Sequence, residues 1–276
     1  SVITVFALTG IALGVGTLIV VLAVMNGFRA ELLDRILGLN GHLTVQAGPR
    51  GIADYDDLVA ELRQVPDVES VTPFVEGQAM ASANGVASGV LVRGLREADL
   101  RARAILDEHL LRGSFAGFDA NREVAIGSRL AQRMGLRLGS SLTLISPEGP
   151  ATPFGTMPRV VGYEVGAIFE VGMYEYDNGV VYMPLAVAQT YFGLEDRVNA
   201  IDAFLRDPED LGDAQRAFQE IVGTRGWVTS WREMNAQFFN ALEVERNVMF
   251  LILTLIIVVA AFNIITGLTM LVRSKG

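Results

Sequence analysis

The sequence predicts a membrane protein in which two transmembrane α-helices flank an extracytoplasmic α+β domain. Three observations carry that class. Residues 1–28 and 247–272 contain no Asp, Glu, Lys or Arg, although 19% of the 276 residues are charged. All 31 carboxylates fall between Glu31 and Glu245. Between the two uncharged windows, 20 arginines face those 31 acids, a formal charge of −11. At about 1.5 Å rise per residue, roughly 20 apolar residues cross a hydrocarbon core about 30 Å thick, so each window is long enough to span.

The chain therefore divides into a first span at 1–28, an outer domain at 29–246, a second span at 247–272 and the start of a cytoplasmic segment at 273–276. Arg273 and Lys275 directly behind the second span put both chain ends in the cytoplasm by the positive-inside rule. The first window has no charged n-region, and its apolar stretch exceeds the about 7 to 15 residues of a signal peptide, so it reads as a retained span. The acidity of the domain excludes nucleic acid, whose phosphates require a basic face. With no cysteine there is no disulfide framework. Starting at Ser1 and stopping at Gly276 directly behind a membrane exit, the sequence reads as part of a longer chain.

The first span holds Gly10 and Gly14, a small-xxx-small spacing that permits close helix approach in lipid, although ordinary glycine enrichment in membranes would give the same pattern. Phe28, Leu32, Leu33, Ile36 and Leu37 recur at helical spacing, so this helix continues out of the membrane until Gly38, Asn40 and Gly41 end it. A strand follows at 42–46, then a helix opened by Asp54, and a hairpin of 68–81 with 86–95 turning at Ala83, Asn84 and Gly85. A helix at 98–111 completes this part of an α/β module at 29–123, which resumes at 193–231 with a strand at 200–205, a helix at 211–222 and a strand at 227–230. Residues 124–192 read as a β-rich insert with strands at 124–126, 141–145, 160–171 and 180–183. Residues 232–245 are helical and run without a breaker into the second span, so that the helix can carry rigid-body movement.

Catalytic chemistry is missing. The only lysine is Lys275, so no phosphate-binding loop can form and the chain is not the ATPase. His42 and His109 stand far apart without a metal or nucleophile motif and read as surface or loop residues. No metal site and no cofactor is expected. Asn263, mid-way in the second span, is an amide in lipid that seeks a partner on a neighbouring helix or, alternatively, bonds back to its own.

Four of nine prolines, Pro147, Pro150, Pro153 and Pro158, fall within twelve residues. They remove backbone donors from what would be a long hairpin, so segment 147–158 is expected to project rather than pair. Phe154 and Met157, around Gly155 and Thr156, place two large apolar side chains on this stiff loop. Spacing alone leaves open whether they meet a partner or fold back on their own domain.

These residues together resemble the lipoprotein-releasing ABC transporter permeases of the LolC/LolE type, within the MacB-like superfamily. The resemblance runs through Leu13-Gly14-Val15, Val24-Met25-Asn26-Gly27-Phe28 and Asp34-Arg35-Ile36-Leu37-Gly38. It continues in Ile168-Phe169-Glu170-Val171-Gly172-Met173-Tyr174-Glu175-Tyr176-Asp177, in Tyr182-Met183-Pro184-Leu185 and in the second span from Asn247 to Ile264. Thr152 to Pro158 resembles the hook of LolC-type members, which implies a chaperone-binding role for Pro153, Phe154, Gly155, Met157 and Pro158.

The resemblance implies an inner-membrane permease with its central domain in the periplasm. A separate LolD-type ATPase, holding ATP and magnesium, would drive it together with a second permease, either LolE-type or an identical copy. An outer-membrane lipoprotein would be squeezed from between the spans and passed to a LolA-type periplasmic chaperone. Val20, Val24, Phe28 and Met249 are the candidates for contact with the lipoprotein, and Gly10, Gly14 and Asn263 for helix packing. The family's ATPase-contacting segment and last two spans would follow Gly276. The nearest alternative is a MacB- or FtsX-like permease serving another partner, against which the hook argues. An alternative of another class is a two-span sensor receptor, which leaves the proline loop unexplained.

Overall fold

A computed structural model describes residues 2–48, 50–147, 151–152 and 155–273. In chain order these form α1 (Val2–Leu39), β1 (Leu43–Ala47), α2 (Tyr55–Leu62), β2 (Val68–Ala83), β3 (Val86–Leu95), α3 (Glu97–Ala102), α4 (Ala104–Asp107) and β4 (Leu110–Gly113). There follow α5 (Phe118–Asn121), β5 (Val124–Gly127), α6 (Ser128–Met134), β6 (Ser141–Ser146), β7 (Ala151–Thr152), β8 (Gly155–Thr156) and β9 (Arg159–Phe169). The chain then continues through α7 (Tyr174–Gly179), β10 (Val180–Pro184), α8 (Leu185–Phe192), β11 (Ala200–Leu205), α9 (Gly212–Val222), β12 (Gly226–Ser230), α10 (Trp231–Met234) and α11 (Ala236–Arg273). Two compact units result: Ser1–Asp34 with Arg232–Gly276, and Arg35–Trp231.

The first unit is helical and exposes its apolar side chains, Val20, Val24, Phe28, Phe250, Leu251 and Phe262 among them. Apolar surface of that extent is stable only against lipid or another protein. Within α11, Val244–Phe262 is long and apolar enough to cross a membrane; within α1 the apolar run found among the described residues is the shorter Ala12–Phe28.

The second unit is built on one long strand. The first half of β2 joins an antiparallel sheet ordered β12-β1-β11-β2, with α2 packed on β2 and α9 on β12. Two βαβ units interleaved in this order are the split arrangement of ferredoxin-like folds. The second half of β2 leaves that sheet and pairs with β3, which pairs in turn with β10, β5 and β9. β6 then pairs with both β9 and β2, so the six strands close on themselves, with β4 added alongside β9. Closure removes the free edges that would otherwise template unwanted pairing. The turn that starts the ring is local: Asn84 and Gly85 both have positive φ, 50° and 77°, the two-residue geometry that Asn-Gly favours between antiparallel strands.

Several local expectations are corrected. The helix expected over 98–111 breaks at Arg103, whose backbone is extended, and β4 begins at Leu110. The guanidinium of Arg103 reaches inward to the Leu39 carbonyl and the Asp202 carboxylate, and these tertiary bonds override local helix propensity. The helix expected to run unbroken from 232 is interrupted at Asn235, and α11 starts directly behind this residue type, which favours helix N-caps. His42, expected at the surface or in a loop, lies in the bend before β1 but is buried. Its Nδ1 accepts the Leu205 N–H at 2.9 Å and its ring stands edge-on to Phe204, so the imidazole is a core group between β1 and β11.

Candidate functional site

The proline segment grows out of the ring. β6 and β9 pair in register from Ser141↔Glu164 to Ser146↔Arg159, where the ladder lapses. It resumes further out, where Ala151 faces Thr156 and Thr152 faces Gly155. The segment was expected to project without pairing, and it instead ends in a short two-stranded hairpin. The reason lies in where the prolines fall. Pro147 and Pro158 occupy the lapse, whereas the four paired residues all carry an N–H. Pro153 and Phe154, which fall between the two strands in sequence, lie outside the described residues, as does Pro150.

The root of the hairpin is held firmly. β6 has a partner strand on each side, and Arg159 at the start of β9 donates from Nη1 to the carbonyls of Thr190 and, at 2.8 Å, Tyr191 on α8. Met80, Ile145 and Val160 are directly opposite one another across β2, β6 and β9, so they share one face of the ring. A cleft of about 370 Å³ opens beside Met80 and Ile145, lined also by Pro147 and Pro158. Met157 is 60% exposed and Val160 equally so. The arrangement can present an apolar surface to a partner at little ordering cost, because its strands are already fixed.

A second cluster lies where α1 meets the domain, and nothing in the composition pointed to it. Leu39 is fully buried in the core with Phe74, Leu95 and Phe169. Its carbonyl, at the negative end of the helix, accepts from Arg103 Nη1 at 2.7 Å. Arg35 Nη1 donates to the Val171 carbonyl at 2.6 Å. Asn40 Oδ1 accepts from the Tyr176 hydroxyl at 2.7 Å and from Arg93 Nη1 at 3.3 Å. The Asp177 carboxylate is buried and takes the N–H groups of Val171 and Gly172 at 2.8 and 3.0 Å. Burial pushes the Asp177 carboxyl above its usual range, against the pull of those two amides. One strand over, Trp231 N–H donates to the His42 carbonyl at 3.0 Å, and Trp231 Nε1 to the Pro208 carbonyl at 2.8 Å. The chain thus arrives at Leu43 and departs at Ser230, which face each other on one rung of the β1–β12 ladder.

The remaining expected site residues stand apart from these clusters. Gly10 and Gly14 face open space: a Cβ built on either meets nothing within 4 Å. Val20, Val24 and Phe28 are exposed and Met249 is half-buried. Asn263 is helical, and its side chain lies outside the described residues.

Residues 4–221 match the model of the MacB-like periplasmic core domain. The lipoprotein-releasing system transmembrane protein LolC of Neisseria meningitidis is 32% identical over 100% of this chain and 67% of its own length. This chain belongs to the LolC/LolE-type permeases of the MacB-like family. The LolE protein of Haemophilus influenzae is 26% identical over 98% of the chain and 66% of its own length. The chain spans about two thirds of these curated LolC and LolE relatives. Among solved structures, the periplasmic region of MacB from Actinobacillus actinomycetemcomitans aligns with 75% of the chain and 95% of its own, at 13% identity and a TM-score of 0.47. As a LolC/LolE-type permease, the chain carries a MacB-like periplasmic core domain.

Proposed function

We propose that this chain is the membrane-anchoring and chaperone-docking portion of a permease that extracts lipoproteins bound for the outer membrane from the inner membrane. Its two uncharged helical windows, 1–28 and 247–272, serve as spans, and an α/β module at 29–123 and 193–231 with the insert at 124–192 stands in the periplasm. A separate ATPase supplies ATP and magnesium chemistry, and a second permease, LolE-type or an identical copy, completes the pathway. Acyl chains lie against Val20, Val24, Phe28 and Met249, while Gly10, Gly14 and Asn263 pack against neighbouring helices. The proline hairpin, through Pro153, Phe154, Gly155, Met157 and Pro158, captures the periplasmic chaperone that receives the lipoprotein.

One observation carries the proposal in a family of this type: a proline-stiffened hairpin with exposed Met157, rooted on a strand that is paired on both sides. The test is capture of the purified chaperone by the detergent-solubilised chain. Wild type binds, and Phe154→Ala combined with Met157→Glu abolishes binding without lowering the melting temperature. Undiminished binding by the double variant refutes the docking role.

A further inference from the structure

The Arg35 contact occupies space that only glycine leaves free. Gly172 has φ +77°, and a Cβ there would stand 2.1 Å from Arg35 Nη1. The guanidinium therefore fills the place of the missing side chain, while Asp177 holds the Val171–Gly172 turn from the other side through both amide N–H groups. Val171 stands two residues past the end of β9, whose first residue, Arg159, is the root of the hairpin. At about 3.3 Å per residue the strand reaches from one place to the other across roughly 35 Å, and it is paired along its length by β6, β5 and β4. Asn40, in the turn that follows α1, adds a second grip through Tyr176 and Arg93.

We infer that Arg35 is a positioning residue that ties the end of α1 to β9, so that movement of α1 is delivered to the hairpin along a fully paired strand. The inference rests on the transport reading above. A helix that is continuous from Val2 to Leu39 has no linker to absorb displacement before Arg35. A closed, hydrogen-bonded sheet shifts as a body and does not stretch. Without the Arg35 bond the end of α1 stays seated through Leu39 and Asn40 but loses its direct tie to the 171–172 turn, and less of its displacement reaches β9.

The test uses the full-length permease assembled with its ATPase and partner permease in proteoliposomes, with lipoprotein in the bilayer and chaperone outside. ATP hydrolysis, chaperone capture and lipoprotein released per ATP are measured for wild type, Arg35→Gln, Arg35→Lys and Gly172→Ala, with the exposed Arg137→Gln as control. Loss of one charge-assisted bond predicts a fall on the order of tenfold in lipoprotein released per ATP for Arg35→Gln and Gly172→Ala. Hydrolysis and capture stay at the wild-type level, Arg35→Lys recovers part of the loss, and Arg137→Gln is unchanged. Unaltered release per ATP in Arg35→Gln overturns the inference. So does loss of capture and hydrolysis together in the Arg35 and Gly172 variants, which marks a purely structural contact. Failure of the transport reading is seen separately, as absence of ATP-dependent release by wild type.

Discussion

Replacing Arg103 with Met exposes how the core under α1 is held. The Arg103 and Asp202 side chains are 4% and 3% exposed, and Nη2 lies 3.1 Å from Asp202 Oδ2. Thr44 Oγ1 donates to the other carboxylate oxygen at 2.7 Å, and the guanidinium sits 5.4 Å over the Phe204 ring. Arg103→Met leaves Asp202 as a buried charge with one hydroxyl for company and strips the Leu39 carbonyl of its donor. Breaking a buried pair from one side costs about 3–5 kcal/mol, a drop of roughly 6–20 °C in melting temperature for a domain of this size. Melting of the detergent-solubilised chain followed by tryptophan fluorescence reads this directly, since Trp231 is buried in the same unit. The cause is isolated by Arg103→Met with Asp202→Leu, which removes both charges and recovers most of the loss. A cost below about 1 kcal/mol, the range of solvated surface pairs, refutes the reasoning, as does a double variant no more stable than the single.

Acidification should weaken the domain through His42. Burial lowers its pKa below the ordinary 6.5, so the unfolded chain binds the proton more readily. The stability this gives is complete above the unfolded value and is lost as pH falls through the folded one. Melting temperatures of wild type and His42→Asn between about pH 5 and 8 test it: wild type falls more steeply on the acid side, and parallel curves refute it. Tyr191→Phe should be neutral or stabilising by about 1–2 kcal/mol, because the buried Tyr191 hydroxyl has no hydrogen-bond partner among the described residues. Denaturant unfolding decides, and a loss of stability shows that the hydroxyl is satisfied in solution.

The elements whose signal is local were legible in the sequence. Asn84-Gly85 dictated the turn between β2 and β3, and the strand read at 200–205 is β11. What escaped prediction depends on residues distant in sequence. Arg103 interrupts a helix only because Leu39 and Asp202 lie beside it, 64 and 99 positions away. The pairing of β6 with β2 closes the ring through an interaction no periodicity announces. At the candidate site, proline density pointed to the hairpin, but the expectation that it stays unpaired ignored that the residues between the prolines, among them the pairing Ala151, Thr152, Gly155 and Thr156, all carry an N–H. The Arg35–Val171 bond was invisible for the same long-range reason, spanning 136 positions, although an arginine on an apolar helix exit and a glycine in a turn were both in plain view.

Because β6 is gripped by β2 on one side and β9 on the other, everything beyond Ser146 and Arg159 is an appendage on a finished barrel. Its tip can be rewritten, shortened or exchanged with that of a relative while the ring beneath it folds unchanged. Under the proposed docking role, partner choice and structural integrity fall to different stretches of the chain, and selection, or an engineer, can alter the first without touching the second.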